Sequence, residues 1–316
     1  MNPSKPSIVF FGTGDVAAAS LKLLAQSFEV ESVITKPKPE HHKGSFPVID
    51  VADAIKAPLI YVTSSAEVTQ SIFGRNFESQ VAVLIDFGII VSQDVIDAFP
   101  LGIVNSHFSL LPELRGADPI TFALLSGQKQ TGVSLMKLVE AMDEGPLLGL
   151  GVQDAIDTLT TPELTDKLIQ LSYALLRDLL PDYIAGKTHA DMMQSGIHMQ
   201  IPDYPSRSSY SRKLTKADGM LDFTKSAEQL EREVRAFVEW PKSRTVIAGK
   251  DVVITKAHVE LSDEYNTTRE PGIVFQYMKQ LCVQTSEGVL IIDALKPAGK
   301  SEMGGRAFLS GYGQNL

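Results

Sequence analysis

One cysteine in 316 residues, Cys282, excludes an internal disulfide framework and any metal site built from several thiolates. Long apolar runs are missing too. The richest, residues 81–91, is interrupted by Asp86 and falls short of the roughly 18 residues that a membrane-crossing helix needs. Near the start, the patch Ile8 to Phe11 is too short for the core of a secretory signal and has no small-residue cleavage site after it, so a cytoplasmic protein is expected. There are no internal repeats and no low-complexity segments. What remains is an ordinary globular composition, 44% hydrophobic and 21% charged, in a chain long enough for two domains of about 150 residues each.

Positive charge is also scarce, and unevenly so. The net charge is −9, but residues 1–206 carry 13 basic and 24 acidic side chains, whereas residues 207–316 carry 16 and 14. A near-neutral C-terminal part on an acidic body is compatible with a local basic face there.

Strand-like segments at residues 7–11, 30–34, 81–85 and 102–105 alternate with helical or loop material, the first helix covering 16–24. That alternation predicts a parallel α/β sheet. Thr161-Pro162-Glu163 opens a helix. Its stripe Leu164, Leu168, Leu171, Leu175 and Leu179 is the face expected to pack on the sheet, and Gly186 closes it. The pattern lapses over 190–206 into Met, Gly, Pro and polar residues, read as a linker between domains 1–189 and 207–316. Beyond it, Ser226-Ala227-Glu228-Gln229 caps a short helix bearing Leu230, Val234 and Phe237. Short β-rich pieces at 252–255, 272–275, 281–285 and 289–294 predict a small antiparallel barrel.

Gly12-Thr13-Gly14-Asp15-Val16-Ala17 fits a dinucleotide-binding turn. Yet Thr35 and Lys36 follow the second strand, where such a site wants an acidic ribose ligand, and a plain strand-to-helix turn fits as well. His41-His42 has no Cys or carboxylate cluster beside it and reads as a solvated loop. Cys282 lies inside a β-type run and reads as a small core residue.

The informative stretch starts at Asn105-Ser106-His107 and runs through Ser109-Leu110-Leu111-Pro112 to Arg115-Gly116. It follows a predicted strand, so Asn105 and His107 emerge on one face at that strand's C-terminal end, where α/β proteins place their chemistry. A further strand at 132–136 leads to Met142-Asp143-Glu144-Gly145-Pro146, a turn able to bring Asp143 toward the imidazole.

The whole string, Asn105-x-His107-x-Ser109-Leu110-Leu111-Pro112-x-x-Arg115-Gly116 with Asp143-x-Gly145, closely resembles the signature of enzymes that use 10-formyltetrahydrofolate. Phe11-Gly12-Thr13, the stretch Leu221-Asp222-Phe223 through Val234-Arg235-Ala236-Phe237 to Trp240-Pro241, and Lys296-Pro297-Ala298-Gly299-Lys300 resemble the methionyl-tRNA formyltransferase family. The resemblance covers about residues 7–310. It implies a Rossmann-like formyltransferase domain followed by an OB-like β-barrel that binds tRNA. It also implies formyl transfer from the folate to the amino group of methionyl-initiator tRNA by a monomer, with no metal and no membrane.

By the same resemblance Asn105, His107 and Asp143 are catalytic. Folate-binding positions fall at Phe87, Gly88, Ile89, Ile90 and Val91, at Ser109, Leu110, Leu111 and Pro112, and at Met142. Lys36, Lys38, Lys43 and Arg115 fall on the tRNA side. Asn105 and His107 can stabilise a developing oxyanion, and Asp143 can fix the imidazole tautomer and take up a proton. Two features depart from the family pattern. The loop at 35–47 is short and carries lysine but no arginine, and Pro146 stands where the family usually has aspartate. A sugar-nucleotide N-formyltransferase shares the catalytic trio and stays open as the alternative acceptor class. A folate deformylase lacks a marked water site here, an NAD-dependent oxidoreductase would rest on Gly12–Ala17 alone, and a non-catalytic binding protein leaves the trio without a shared purpose.

Overall fold

The computed structural model describes residues 5–41, 44, 46–194, 207–262 and 269–316. They form two compact units that are interlaced along the chain. Unit 1 comprises Met1–Ala117, Thr131–Asp154 and Thr165–Ser211; unit 2 comprises Asp118–Gln130, Ala155–Leu164 and Arg212–Leu316. The first strands are β1 (Ser7–Phe11), β2 (Glu29–Thr35), β3 (Leu59–Tyr61), β4 (Ala82–Leu84), β5 (Ile103–His107), β6 (Arg115–Gly116), β7 (Gln130–Lys137), β8 (Leu147–Asp154) and β9 (Tyr210–Ser211). The helices are α1 (Asp15–Ser27), α2 (Pro47–Ile55), α3 (Ser65–Ile72), α4 (Gln93–Asp97), α5 (Pro119–Leu125), α6 (Thr161–Ile184), α7 (Ala227–Ala236) and α8 (Gly305–Tyr312). No helix among the described residues is long and apolar enough to cross a membrane.

Unit 1 holds a seven-stranded sheet in the order β3-β2-β1-β4-β5-β7-β8. Strands β1 to β5 are mutually parallel, and β7 runs antiparallel to β5. Ile8, Val9, Phe10 and Phe11 are all fully buried, the continuous apolar run expected of a strand covered on both faces. The order reverses between β1 and β4, a switch point at which the loops leaving the C-terminal strand ends part to leave a crevice. Beneath those loops Phe11 meets Phe87 edge-on at 5.3 Å and Phe99 at 6.2 Å between ring centres. Burying each such ring is worth about 1.5–3 kcal/mol, which fixes the floor from which the loops spring. Of the stripe expected on α6, Leu164 and Leu168 are fully buried, but beyond them the fully buried leucines are Leu176 and Leu180, and Leu171, Leu175 and Leu179 are half-buried against β8. Leu179 lies against Gly149 and Leu171 against Gly151, so closely that a Cβ at either glycine would collide.

Unit 2 adds β10 (Ser243–Ile247), β11 (Lys250–Glu260), β12 (Val274–Tyr277), β13 (Gln280–Gln284), β14 (Val289–Pro297) and β15 (Met303–Gly304). They form an antiparallel sheet in the order β10-β11-β14-β13-β12, with β15 paired to β14. Leu230 and Val234 of α7 join Ile254, Leu281, Leu290 and Phe308 in its core. Ser226 caps α7, its hydroxyl accepting the Gln229 N–H at 3.2 Å. Helix α5 belongs to this unit, and the Gln229 side chain donates to the Leu125 carbonyl. Cys282 is fully buried, and burial pushes its thiol pKa up to about 11. The folded chain should therefore resist a thiol reagent at pH 8 and react only after unfolding, which a timed thiol titration with and without denaturant checks.

Candidate active site

Strand β5 is buried along its whole length and delivers Asn105 and His107 at its C-terminal end. The turn between β7 and β8 brings Asp143 to the same place. Asn105 Nδ2 donates to Asp143 Oδ1 at 3.3 Å, and His107 Nδ1 lies 3.7 Å from Asp143 Oδ2. A third contact holds the carboxylate: the Gly116 N–H donates to Oδ2 at 2.8 Å. All three expected catalytic side chains thus converge, and all are buried.

The imidazole's other nitrogen makes the shorter bond. Nε2 stands 2.9 Å from the Leu114 carbonyl, which can only accept, so Nε2 carries the proton. In the neutral ring Nδ1 is then an unprotonated base facing Asp143. The tautomer is set by a backbone carbonyl rather than by Asp143, whose separation from the ring is longer than a hydrogen bond. Leu114 presents that carbonyl from a left-handed backbone, φ +53°. It is held there by Ser209, whose hydroxyl accepts the Leu114 N–H at 2.9 Å, and by the pairing of β6 with β9.

Ser134, fully buried, secures the preceding residues by donating to the Ser109 carbonyl at 2.8 Å and accepting the Leu111 N–H at 3.0 Å. Ser109 itself donates to the Glu113 carbonyl. Leu110 and Leu111 are buried beside Met136 and Leu147, and Pro112 follows a cis peptide. These four residues shape the loop under the trio.

Of the segment 87–91, Phe87 lies in the core, Ile89 and Val91 are half-buried against it, and Gly88 (φ +65°) and Ile90 face outward. Met142, beside Asp143, is 60% exposed. A Cβ placed on Gly88 would sit 3.9 Å from Lys36 Nζ, so that ammonium reaches the end of β4. Lys38 donates to the Gly44 carbonyl at 2.6 Å, and Lys43 lies outside the described residues. Arg115 has its guanidinium engaged within unit 1, donating to Glu144 at 2.7 Å and to Gln194 at 2.8 Å, with Tyr210 OH at 3.3 Å.

The glycine turn after β1 is filled by protein. The Asp86 carboxylate comes so near Gly14 that a Cβ there would lie 1.9 Å from its oxygen, and Thr13 donates to the carbonyls of Asp86 and Phe87. A carboxylate at the place where a pyrophosphate would approach disfavours a dinucleotide.

Sequence reasoning overlooked Leu114, Ser134, Gln194, Ser209 and Tyr210 as parts of the site. Gln194 falls in the stretch read as a linker, yet it is buried and donates to the carbonyls of Asp143 and Gly145, both at 2.9 Å. Met192 of the same stretch is bridged to Leu147, and residues 195–206 lie outside the described residues.

Residues 7–180 match the family model described as formyl transferase, and residues 213–313 match formyl transferase, C-terminal domain. The chain belongs to the formyl transferase family. Over nearly its full length it is similar to the methionyl-tRNA formyltransferase of Listeria monocytogenes serotype 4a, with 31% identity over 98% of this chain and 96% of that one. The methionyl-tRNA formyltransferase of Myxococcus xanthus is 32% identical over the same shares. Among solved structures, the sugar 3N-formyl transferase WlaRD, crystallised with dTDP and 5-N-formyl-THF, has the same fold. Its TM-score is 0.65 at 16% identity, covering 94% of this chain and 99% of that one.

Proposed function

We propose that the chain transfers the formyl group of 10-formyltetrahydrofolate to the α-amino group of methionyl-initiator tRNA, as a cytoplasmic monomer. The observation that carries this reading is the meeting of Asn105, His107 and Asp143 at the end of β5, in a chain 31–32% identical over nearly its full length to methionyl-tRNA formyltransferases.

The chemistry follows from the donors present. The neutral amine attacks the formyl carbon, and the oxyanion that forms needs hydrogen-bond donors already in place. Asn105 supplies an amide N–H there. His107, with Nε2–H committed to Leu114, has Nδ1 free to take the proton the amine sheds, and Asp143 stabilises the resulting imidazolium. The bond from the formyl carbon to N10 then breaks, and tetrahydrofolate leaves with the proton on N10. The pterin is placed against residues 87–91, the Ser109–Pro112 loop and Met142, with Ile90 and Met142 as the apolar side chains facing outward.

The acceptor is tested by competition: charged initiator tRNA and a nucleotide amino-sugar are offered together with labelled folate. Label on the methionine amine supports the reading, and label on the sugar replaces it with the sugar-formyltransferase alternative, for which the short, arginine-free loop at 35–47 leaves room.

The same loop carries a second expectation. Changing Lys36, Lys38 and Lys43 together to alanine should raise KM for tRNA and leave that for folate unchanged. The slope of log affinity against log salt should fall by roughly one unit for each phosphate that a lysine no longer neutralises. Superimposable salt curves for variant and parent would take the loop out of tRNA binding.

A further inference from the structure

Asp143 sits in a left-handed backbone conformation, φ +53°, which is uncommon for residues other than glycine and which aspartate tolerates better than most. Its carboxylate is tied by Asn105 and Gly116, but these bonds presuppose that the turn is already in place. The turn's own backbone is held from outside. The Gln194 amide donates one N–H to the Asp143 carbonyl and the other to the Gly145 carbonyl, spanning the turn from both sides of Glu144. Its Oε1 accepts from Arg115 Nη2 at 2.8 Å, and Arg115 Nη1 in turn grips Glu144, the residue between the two carbonyls. Two carbonyls on one side and a guanidinium on the other allow the amide one orientation only. Gln194 is buried, and its neighbour Met192 exchanges backbone bonds with Leu147, which anchors the segment to β8.

We infer that Gln194 is a positioning residue for catalysis: it holds the Asp143 turn in register with His107 through two amide donors, with Arg115 and Glu144 completing the clamp. The reading rests on the proposed formyl transfer for its kinetic consequence, though not for its structural one. Without the donors, the Asp143 and Gly145 carbonyls lose their buried partners. The turn can then relax toward ordinary backbone angles, carrying the carboxylate away from both the imidazole and the Gly116 N–H.

The test uses the full chain with Gln194→Met, which keeps the volume and removes all three bonds, and Gln194→Glu, which keeps the acceptor for Arg115 and removes only the donors. Tyr183→Phe, which deletes the remote bond from Tyr183 OH to the Leu101 carbonyl in the same unit, is the structural control. Amide exchange at Gly116 needs no substrate and should quicken by at least about tenfold in both Gln194 variants and stay unchanged in the control. Turnover should fall by at least about tenfold in both, and by a larger factor than folate KM rises, because the misplaced carboxylate acts in the transition state while Met142 is one pterin contact among several. Unchanged Gly116 exchange in either folded variant overturns the inference, and so does unchanged kcat in Gln194→Met where the parent is active. A parent that formylates no methionyl-tRNA refutes the proposed function alone, and the exchange measurement still decides the role of Gln194.

Discussion

Asp143→Ala, His107→Ala and Asn105→Ala are each expected to lower turnover in formyl transfer by at least about tenfold to a hundredfold while the fold survives. The expectation follows from three buried polar groups that share one another's partners. Asp143 accepts from Asn105 and faces His107 Nδ1, so removing it leaves the amide without its acceptor and the imidazolium without its counter-charge. Removing His107 takes away the base and leaves the Leu114 carbonyl with only the longer bond from the Ser211 hydroxyl. Because the groups act on one oxyanion and one proton, the double variants should lose less than the product of the single losses. Steady-state kinetics at saturating substrates, with thermal melts to confirm folding, provide the check. Near-normal turnover in His107→Ala would show that the imidazole is not the base.

Gly145→Ala should be nearly as damaging, although it touches no substrate. Gly145 lies so tightly against the β7 backbone that a Cβ would stand 1.8 Å from the Lys137 carbonyl oxygen and 3.1 Å from Met136 Cγ. The carbonyl belongs to the strand paired with β5 and cannot yield, so the turn must move, and Asp143 moves with it. A loss of about a hundredfold in kcat is expected, together with about 1–3 kcal/mol of stability from overpacking. Gly311→Ala, in α8 with open space around it, is the matched control and should leave activity unchanged and the melting temperature the same or slightly higher. Equal kcat in the Gly145 variant and the parent would mean that the turn has slack and that Asp143 can be placed in more than one way.

The parts of this arrangement that could be read from the sequence share a physical cause. Strand β1 is a short apolar run buried on both faces, β5 opens on the apolar pair Ile103-Val104, and the leucines of α6 repeat at helical spacing, so periodicity reports them directly. Asn105 and His107 could be picked out because they stand at the C-terminal end of a predicted strand, and Asp143 because the whole string resembles the signature of enzymes that use 10-formyltetrahydrofolate. What escaped was carried by the backbone or by distant chain. Leu114 acts through its carbonyl, and nothing about a leucine announces a left-handed conformation. Gln194 and Ser209 act on loops roughly 50 and 95 residues earlier, inside or just after a segment with no periodicity at all, so only tertiary contact reveals them. A two-residue ladder such as β6 with β9 is too short to leave a pattern. Likewise, a boundary drawn along the chain has no means of registering that residues 118–130 and 155–164 cluster with 212–316.

The most direct test follows the fate of the formyl group itself. The enzyme is mixed with formyl-labelled 10-formyltetrahydrofolate and methionyl-initiator tRNA, and label is traced as the folate is consumed. One equivalent of label on the methionine amino group per folate consumed is the expected result, with Asp143→Ala slowing its appearance. Folate consumed with the label released as formate, or consumed only when a nucleotide amino-sugar is supplied, would contradict formyl transfer to tRNA.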